Sequence, residues 1–406
     1  MASAQLHSTA SPTRPSPRQD YPYPEANPQS RIHVLGIGNI GKVVAHSLRS
    51  LPAPPPVSLL LQNYTKKREF DSANSAITVF RPNRAESSVA GFDAELTNAF
   101  AGDGSPIINP WPIWNLIVTT KAHHTVAALK PIVSRLTRDS TILILQNGMG
   151  VVNEVTAQLF PDPESRPHFV TGITTHGIYS KGPFSIVQKG FGNIQLGCPP
   201  LRLEPAPAPF GFWYPPKEPL STDKPPPLSS LAPTTEYLIS TLLDAPDLSA
   251  SHISLPELLS VQLEKLAVNA VINPLTVLFD CHNGELLENF YIAQTMRVVL
   301  WEVSQVLCAL PEVAGVPGRE IRFSAERLYD VVIKVARATA DNWSSMLQDV
   351  RNGKQTEIDY INGFVVGKAR ENSLPCTMNL MLVNIVKGKG KIVQQREKMA
   401  VPFVEA

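Results

Sequence analysis

The sequence predicts an α/β protein: an N-terminal Rossmann-like doubly wound sheet followed by an all-α C-terminal domain. Three observations carry this prediction. A short apolar strand near the start of the chain runs directly into a glycine-rich turn and a helix. Further apolar strands then alternate with helical segments, as in a parallel sheet covered on both faces. From Pro256 onward, apolar residues recur at helical spacing.

The first element is the strand Arg31–Leu35, which leads into a G-x-G-x-x-G turn formed by Gly36, Ile37, Gly38, Asn39, Ile40 and Gly41. The first glycine permits a tight turn, the second lets the backbone approach a pyrophosphate, and the third lets helix and strand pack closely. The start of the following helix offers free N–H groups and a positive dipole end to phosphates. We therefore expect this turn to bind a dinucleotide; the alternative is a glycine-rich turn without a ligand.

The second strand, Val57–Leu61, indicates which dinucleotide is bound. A site for NAD would place an acid at the end of this strand for the ribose 2′-hydroxyl, whereas Gln62 follows here. The basic residues just beyond it could meet a 2′-phosphate, so NADP(H) is favoured as cofactor. These residues are Lys66, Lys67 and Arg68. A basic surface loop is the competing interpretation.

Three later strands place polar residues at their carboxyl ends, where ligands of open parallel sheets lie. The strands are predicted at 115–120, 141–145 and 168–175, and are followed by Lys121, Asn147 and His176. Lys121 could attract a cofactor phosphate and Asn147 could bond the ribose or the substrate, although either could also be an ordinary loop residue. We expect His176 to be a structural hydrogen-bonding residue.

The remaining predictions for the first half are simpler. We expect His123 and His124 at the surface, a terminal hairpin over 185–196, a helix over 236–243 and a last strand over 251–254.

The most informative stretch lies in the second half, in an apolar helix around Lys265. Lys265, Asn269 and Asn273 are each four residues apart, so they form one column on the helix surface. Pro274 removes a backbone donor and frees the carbonyl of Ala270, which predicts a kink beside the column. A solvated stripe is the simpler interpretation, and a site for a small polar ligand in the cleft between two domains is the alternative.

A second polar cluster follows at Thr356, which is a plausible N-cap with Glu357 and Asp359 in the first turn. Acids are favoured there by the helix dipole alone. The functional interpretation is that one of them reaches the Lys265 amine or a ribose.

Composition bounds the partners and the compartment. The chain has 406 residues and a net charge of +1, which gives no indication of nucleic acid or an anionic membrane as partner. No apolar run approaches the ~20 residues that span a bilayer. The four cysteines show neither a CxxC pair nor metal-ligand spacing, so we expect free thiols in a reducing compartment and no metal, although four cysteines could pair in an exported protein.

Proline is concentrated in two stretches, with six prolines in residues 1–30 and twelve in residues 199–233. Both stretches lack apolar periodicity. We predict a disordered segment at 1–30, an NADP-binding Rossmann-like domain at 31–255 with a proline-rich insertion at 199–233, a helical substrate domain at 256–393 and a tail at 394–406. A cytoplasmic location is expected, with a mitochondrial presequence as the alternative.

Taken together, the motifs resemble the ketopantoate reductase (2-dehydropantoate 2-reductase) family. The resemblance covers roughly residues 31–393 without the insertion. The stretches that carry it are Gly36–Gly41, Thr120–Ala122, Gln146–Gly150, Lys265–Thr276, Asn283–Leu286, Ser344–Asp349 and Thr356–Tyr360.

The resemblance implies NADPH-dependent reduction of 2-dehydropantoate to (R)-pantoate, a step towards pantothenate and coenzyme A. It implies that Lys265 is the proton donor and that Lys121 and Glu357 contact the cofactor. It implies that Asn147 touches both cofactor and substrate. The implied substrate contacts are Asn269, Asn273, Asn283 and Ser345, with Asn342 nearby. Gln62 departs from the family pattern, since many members carry an arginine there.

Two other functions stay open on the sequence alone. One is a related reductase of another branched 2-keto acid. The other is a non-catalytic NADP-binding sensor that uses residues 199–233 to bind partners. A homodimer is possible in each case.

Overall fold

A computed structural model describes residues 27–82, 84–100, 106–107, 109–199 and 224–400. Residues 1–26 of the predicted disordered segment, residues 200–223 of the predicted insertion and residues 401–406 of the predicted tail lie outside this part of the chain. Residues 28–30 form a 3-10 turn that is held by the Tyr237 hydroxyl, which donates to the Ser30 carbonyl at 2.9 Å.

The main sheet has eight strands in the order β14-β13-β10-β9-β8-β1-β2-β5. All neighbours from β10 to β5 are parallel, β13 is antiparallel to β10, and β14 is parallel to β13. The strands of this sheet are β1 (Ile32–Leu35), β2 (Val57–Leu61), β5 (Asp93–Leu96), β8 (Asn115–Val118), β9 (Thr141–Leu145), β10 (His168–Thr174), β13 (Ile194–Gly197) and β14 (Ala250–His252).

Both faces of this sheet are buried, which confirms the doubly wound prediction. Successive strand residues alternate between two apolar clusters: Val34 lies in one and Leu35 in the other. The helices that cover the faces are α1 (Asn39–Arg49), α2 (Tyr64–Ser72), α3 (Thr125–Leu129), α4 (Val151–Leu159) and α5 (Pro233–Leu243).

A second, four-stranded sheet has the order β11-β12-β3-β4 and packs beside α1. Its strands are β3 (Ile77–Phe80), β4 (Ser87–Val89), β11 (Gly177–Gly182) and β12 (Ser185–Gly190). The predicted hairpin over 185–196 is therefore wrong: β12 pairs with β11 and β3, while β13 pairs with β10 and β14 in the main sheet. The chain between Gly190 and Ile194 crosses from one sheet to the other. A two-stranded sheet is formed by β6 (Ala99–Phe100) and β7 (Pro106–Ile107).

The second half is helical, as predicted, and has its own apolar core. Its helices are α6 (Leu255–Phe279), α7 (Phe290–Ala309), α8 (Arg319–Arg322), α9 (Ala325–Ala338), α10 (Ser345–Arg351), α11 (Asn362–Glu371) and α12 (Thr377–Ala400). The last helix continues past residue 394, so the predicted tail begins inside a helix. None of the described helices has the length and apolar character needed to cross a membrane.

Local signals explain the bounds of α6, the longest helix. The Ser254 side chain caps its start by accepting from the Glu257 N–H at 3.4 Å, and Pro256 lies in the first turn. Asp280 ends it in the left-handed region, with φ of 55°. The helix is continuous through Pro274. Because proline has no N–H, it cannot donate to the carbonyl of Ala270, and the Asn362 side chain donates to that carbonyl instead, at 2.8 Å.

Candidate active site

The glycine-rich turn has the geometry that its sequence predicts. Gly36 has a φ of +94°, and a Cβ there would lie 2.8 Å from the carbonyl carbon of Thr119. A Cβ on Gly41 would lie 2.7 Å from the Thr119 hydroxyl oxygen. Gly38, at the start of α1, instead faces open space within 4 Å. The first and third glycines therefore allow close packing, and the second leaves room for a ligand above the helix N-terminus.

The other residues of this turn support the cradle. Ile37 and Ile40 pack against the apolar cluster under α1, and the Asn39 side chain donates to the Ile178 carbonyl at 3.4 Å. This contact connects the glycine-rich turn to the second sheet. The arrangement fits a dinucleotide, because the first-turn N–H groups of a helix have no partner within the helix.

The basic residues after β2 lie on helix α2 and not in a loop. Lys66 pairs with Glu69 at 2.6 Å and Lys67 pairs with Asp71 at 2.6 Å, while Gln62 and Arg68 are exposed. Asn63 caps this helix by accepting from the Lys66 N–H at 3.0 Å.

The predicted polar column lies on α6. Lys265 and Asn269 are half-buried and Asn273 is 7% exposed, so the column is not a solvated stripe. The Lys265 Nζ donates to the Thr174 carbonyl at the end of β10, at 2.5 Å. Burial lowers the pKa of Lys265 from its usual 10.5 to about 8, while the charge of Glu357 acts in the opposite direction.

Glu357 is buried in the interface between the two halves. Its Oε1 accepts from the Ala122 N–H at 3.1 Å, and it also bonds the Asn147 side chain. Burial raises the pKa of Glu357, and these hydrogen bonds oppose the rise. The prediction that Thr356 caps a helix here is wrong: Glu357 precedes a 3-10 turn at 358–360, and α11 begins at Asn362. The acid is held by the other half of the molecule and not by a helix dipole.

Lys121 also reaches across the interface, where it forms an ion pair with Asp349 on α10. Burial raises the pKa of the Asp349 carboxyl, and the Lys121 ammonium opposes that rise. The other acid of the predicted cluster, Asp359, points elsewhere and pairs with Lys387 at 2.6 Å.

The remaining predicted substrate residues lie on two adjacent segments after α6 and α9. Asn283 is buried, and its N–H donates to the Asn342 carbonyl at 3.1 Å. The Asn342 side-chain oxygen accepts from Lys189 of β12 at 3.3 Å. Ser345 is exposed at the start of α10, where the neighbouring Ser344 caps the helix by accepting from the Leu347 N–H at 3.1 Å. Capping therefore occupies Ser344 and leaves Ser345 at the surface.

Among the described residues, sequence reasoning missed three groups that shape this site. The Thr174 carbonyl gave no signal, because any residue supplies one. Asp349 lies in the stretch Ser344–Asp349 that resembles the family, but no local pattern shows that Lys121, 228 positions away, is its partner. Lys189 comes from a strand whose pairing was predicted wrongly.

The histidines and cysteines lie outside this chemistry. His176 is a structural residue, as predicted: its Nδ1 accepts from the Gly192 N–H at 3.0 Å and its Nε2 donates to the Leu248 carbonyl at 3.0 Å. His124 is exposed as predicted, whereas His123 is half-buried, and burial lowers its pKa to about 4. The four cysteines are unpaired, as predicted.

Known families and proteins match nearly the whole chain. The family model "Ketopantoate reductase PanE/ApbA" matches residues 32–200, and "Ketopantoate reductase PanE/ApbA C terminal" matches residues 257–390. The probable 2-dehydropantoate 2-reductase of Schizosaccharomyces pombe is 31% identical over 361 residues, which cover 88% of this chain and 96% of that protein. The 2-dehydropantoate 2-reductase of Escherichia coli O157:H7 is 34% identical over 275 residues, or 68% of this chain and 73% of that protein.

Solved structures share the fold at lower identity. A D-mandelate dehydrogenase, solved with NADH and anilino(oxo)acetate, has a TM-score of 0.67 at 17% identity and covers 89% of this chain and 99% of its own. A probable 2-dehydropantoate 2-reductase of Bacillus subtilis has a TM-score of 0.60 at 23% identity, with 88% and 99% covered.

Proposed function

The chain belongs to the ketopantoate reductase family, and from this we propose that it reduces 2-dehydropantoate to (R)-pantoate with NADPH, a step towards pantothenate and coenzyme A. The observation that carries the proposal is the Lys265 amine. Its pKa is lowered to about 8, and it feels the charge of Glu357, which is buried in the interface between the nucleotide half and the helical half.

The proposed chemistry assigns the proton to Lys265. When bound, the reduced nicotinamide supplies a hydride to the ketone carbon of the substrate. Negative charge then develops on the ketone oxygen, and an ammonium near that oxygen stabilises the charge and donates a proton. A donor with a pKa near the working pH suits this task, because it is both protonated and ready to lose its proton.

Neutral amides and a hydroxyl are proposed to hold the substrate. They bind an acid without adding charge that would compete with the lysine, since amides both donate and accept. The proposed substrate-contacting residues are Asn147, Lys265, Asn269, Asn273, Asn283, Asn342 and Ser345.

The cofactor contacts are proposed for the glycine-rich turn, Lys121, Asn147 and Glu357. The preference for NADP over NAD is supported by the absence of an acid at the end of β2, where Gln62 stands. Lys66 and Lys67 are each paired with an acid, so we favour exposed Arg68 as the contact for the 2′-phosphate.

The nearly neutral net charge of +1 gives no support for nucleic acid or a membrane as a partner, and we propose neither. A homodimer is proposed because α7 exposes three large apolar side chains. Tyr291, Val298 and Trp301 are 80%, 47% and 50% exposed.

Four unpaired cysteines support a reducing compartment, and we propose the cytoplasm, with the mitochondrion as the alternative.

A steady-state assay of the purified protein tests the proposal. NADPH oxidation is followed with ketopantoate and with ketoisovalerate, and then with NADH in place of NADPH. We expect the highest kcat/KM with ketopantoate and NADPH. Preference for ketoisovalerate would indicate the related reductase of another branched 2-keto acid. NADPH binding without turnover of either acid would indicate the sensor.

A further inference from the structure

The side-chain oxygen of Asn283 is buried near the candidate site and has no hydrogen-bond partner among the described residues. The residue is 7% exposed, so this oxygen is also shielded from water. A buried amide oxygen without a hydrogen bond costs ~1–3 kcal/mol of stability. Such atoms are rare in native proteins, so each one calls for an explanation, such as a role in binding or catalysis.

The other end of the same amide is fixed. The Asn283 Nδ2 donates to the Thr339 hydroxyl at 2.9 Å, and that hydroxyl donates to the Val335 carbonyl at 2.8 Å. A carbonyl can only accept, so the single hydroxyl proton of Thr339 is committed to Val335. Towards Asn283 the threonine oxygen can therefore only accept a hydrogen bond. Only the NH₂ group of the amide can donate one, so this group faces Thr339.

The backbone holds the two side chains in this register. The Asn283 N–H donates to the Asn342 carbonyl at 3.1 Å, and the Gly284 N–H donates to the Ala340 carbonyl at 3.0 Å. A Cβ on Gly284 would lie 2.7 Å from the Ala340 Cβ, so the two segments are in close contact. The backbone of Asn283 therefore cannot move away from the segment that carries Thr339 without breaking these bonds.

We propose that Thr339 is a positioning residue of the reductase, which fixes the Asn283 amide so that only its oxygen is left to bond a substrate that displaces the groups covering it. This rests on the proposed function. An oxygen that can only accept takes a donor from the substrate. The carboxylate and ketone of a 2-keto acid anion carry no donor, so the partner is an additional hydroxyl group. Thr339 thus sets a preference for hydroxylated 2-keto acids over those with a bare alkyl chain.

The test compares kcat/KM for ketopantoate, which carries a hydroxyl, with kcat/KM for ketoisovalerate, which does not. Thr339→Val keeps the shape of the side chain and removes the hydroxyl, so the amide is free to turn. We expect the ratio of the two kcat/KM values to fall roughly tenfold or more in this variant, as expected for loss of one well-placed hydrogen bond in a dry site. Thr339→Ser keeps the hydroxyl and should keep the ratio.

Two further variants separate positioning from general damage. Thr339→Ala removes the hydroxyl without adding a methyl group and should lower the ratio as the valine does. In an Asn283→Ala background, which removes the acceptor itself, Thr339→Val should change the ratio no further. Equal losses for both substrates in Thr339→Val and Thr339→Ala, or a serine variant as poor as the valine variant, would overturn the inference. Lack of ketopantoate turnover by the unaltered protein would instead reject the proposed function.

Discussion

At the scale of single residues, the burial of Lys265 gives this amine a pKa near neutrality. A lysine at the surface has a pKa of about 10.4, well above the working pH, and is therefore a weak acid. Burial of the Lys265 amine disfavours its charged form and lowers its pKa to about 8, while the charge of Glu357 acts in the opposite direction. The amine is held in place by the Thr174 carbonyl, to which it donates at 2.5 Å.

Replacing this amine tests the proton-donor role directly. We expect Lys265→Ala to lower kcat with ketopantoate ~10²–10⁴-fold, the usual contribution of a positioned acid. The affinity for NADPH, measured by fluorescence titration, should change little, because the glycine-rich turn proposed to bind it lies at the start of α1, in the other half of the molecule. Lys334→Ala, which removes an exposed lysine from α9, is the matched control. Near-normal turnover in Lys265→Ala would reject the assignment.

The dependence of kcat/KM on pH tests whether the charge of Glu357 affects the pKa of Lys265. In the proposed mechanism the protonated lysine is the active form for reduction, so kcat/KM should fall as the pH rises through about 8. The negative charge of Glu357 raises the pKa of Lys265, so its removal lowers that pKa further. Glu357→Gln should therefore move the alkaline limb to lower pH, while the amide oxygen can still accept from the Ala122 N–H.

The comparison for this prediction is the profile of kcat/KM against pH for the unaltered protein, Glu357→Gln and Glu326→Gln. Glu326 is exposed on α9, so its variant should keep the original limb. An alkaline limb that stays in place in Glu357→Gln would show that Glu357 does not act on the proton donor.

At the scale of elements, α6 contains a proline that a partner from another helix compensates. Pro274 cannot donate to the Ala270 carbonyl, and the fully buried Asn362 side chain supplies the missing donor at 2.8 Å. The same Asn362 nitrogen also donates to the Asn379 side-chain oxygen at 3.0 Å. One amide thus connects α6, α11 and α12.

Asn362→Leu should lower the free energy of unfolding by ~1–3 kcal/mol for each buried acceptor left without a donor. Pro274→Ala restores an N–H that can reach Ala270, so the cost of Asn362→Leu should be smaller in that background. Urea denaturation of the two single variants and the double variant measures this coupling. Additive costs would show that the amide and the proline act independently.

Elements with a local signal were predictable from the sequence, and pairings between distant segments were not. The spacing of Lys265, Asn269 and Asn273 gave their column, and the chemistry of Pro274 gave the freed Ala270 carbonyl. The partner of that carbonyl, Asn362, is 92 positions away, and no local pattern identifies it.

The second sheet was missed for the same reason. Its central pair joins β3 to β12, so that Val79 lies opposite Ile186, and its edge strand β4 has only three residues, none of them buried. The glycines near 190 look locally like a hairpin turn. Their use as a crossing between two sheets depends on partners far away in the sequence.

At the scale of the whole molecule, the loops at the carboxyl ends of the main strands hold the helical half against the nucleotide half. Glu357 binds the Ala122 N–H, the Tyr360 carbonyl accepts from the Met149 N–H at 3.0 Å, and the Tyr360 hydroxyl donates to Glu154 at 2.8 Å. Glu357 lies only three residues before Tyr360, so the packing of Tyr360 also sets the position of the acid whose charge acts on Lys265.

Gly148 and Gly150 provide a matched test of this coupling. Their φ angles are similar, +83° and +89°, so an alanine at either position pays a comparable cost of ~1–2 kcal/mol for the left-handed backbone. They differ in their surroundings. A Cβ on Gly148 would lie 2.6 Å from the Tyr360 Cβ, whereas a Cβ on Gly150 meets nothing within 4 Å.

Gly148→Ala should therefore force Tyr360 away and shift Glu357 with it, while Gly150→Ala strains only its own turn. We expect the free energy of unfolding to fall in both variants, and kcat/KM with ketopantoate to fall roughly tenfold or more further in Gly148→Ala, because small misplacements of a catalytic group are costly. Urea denaturation and steady-state kinetics on the two variants measure both quantities. Equal kinetic losses would mean that the contact between Gly148 and Tyr360 does not transmit position to the site, and that other contacts between the two halves, such as Lys121–Asp349 and Glu357–Ala122, align them.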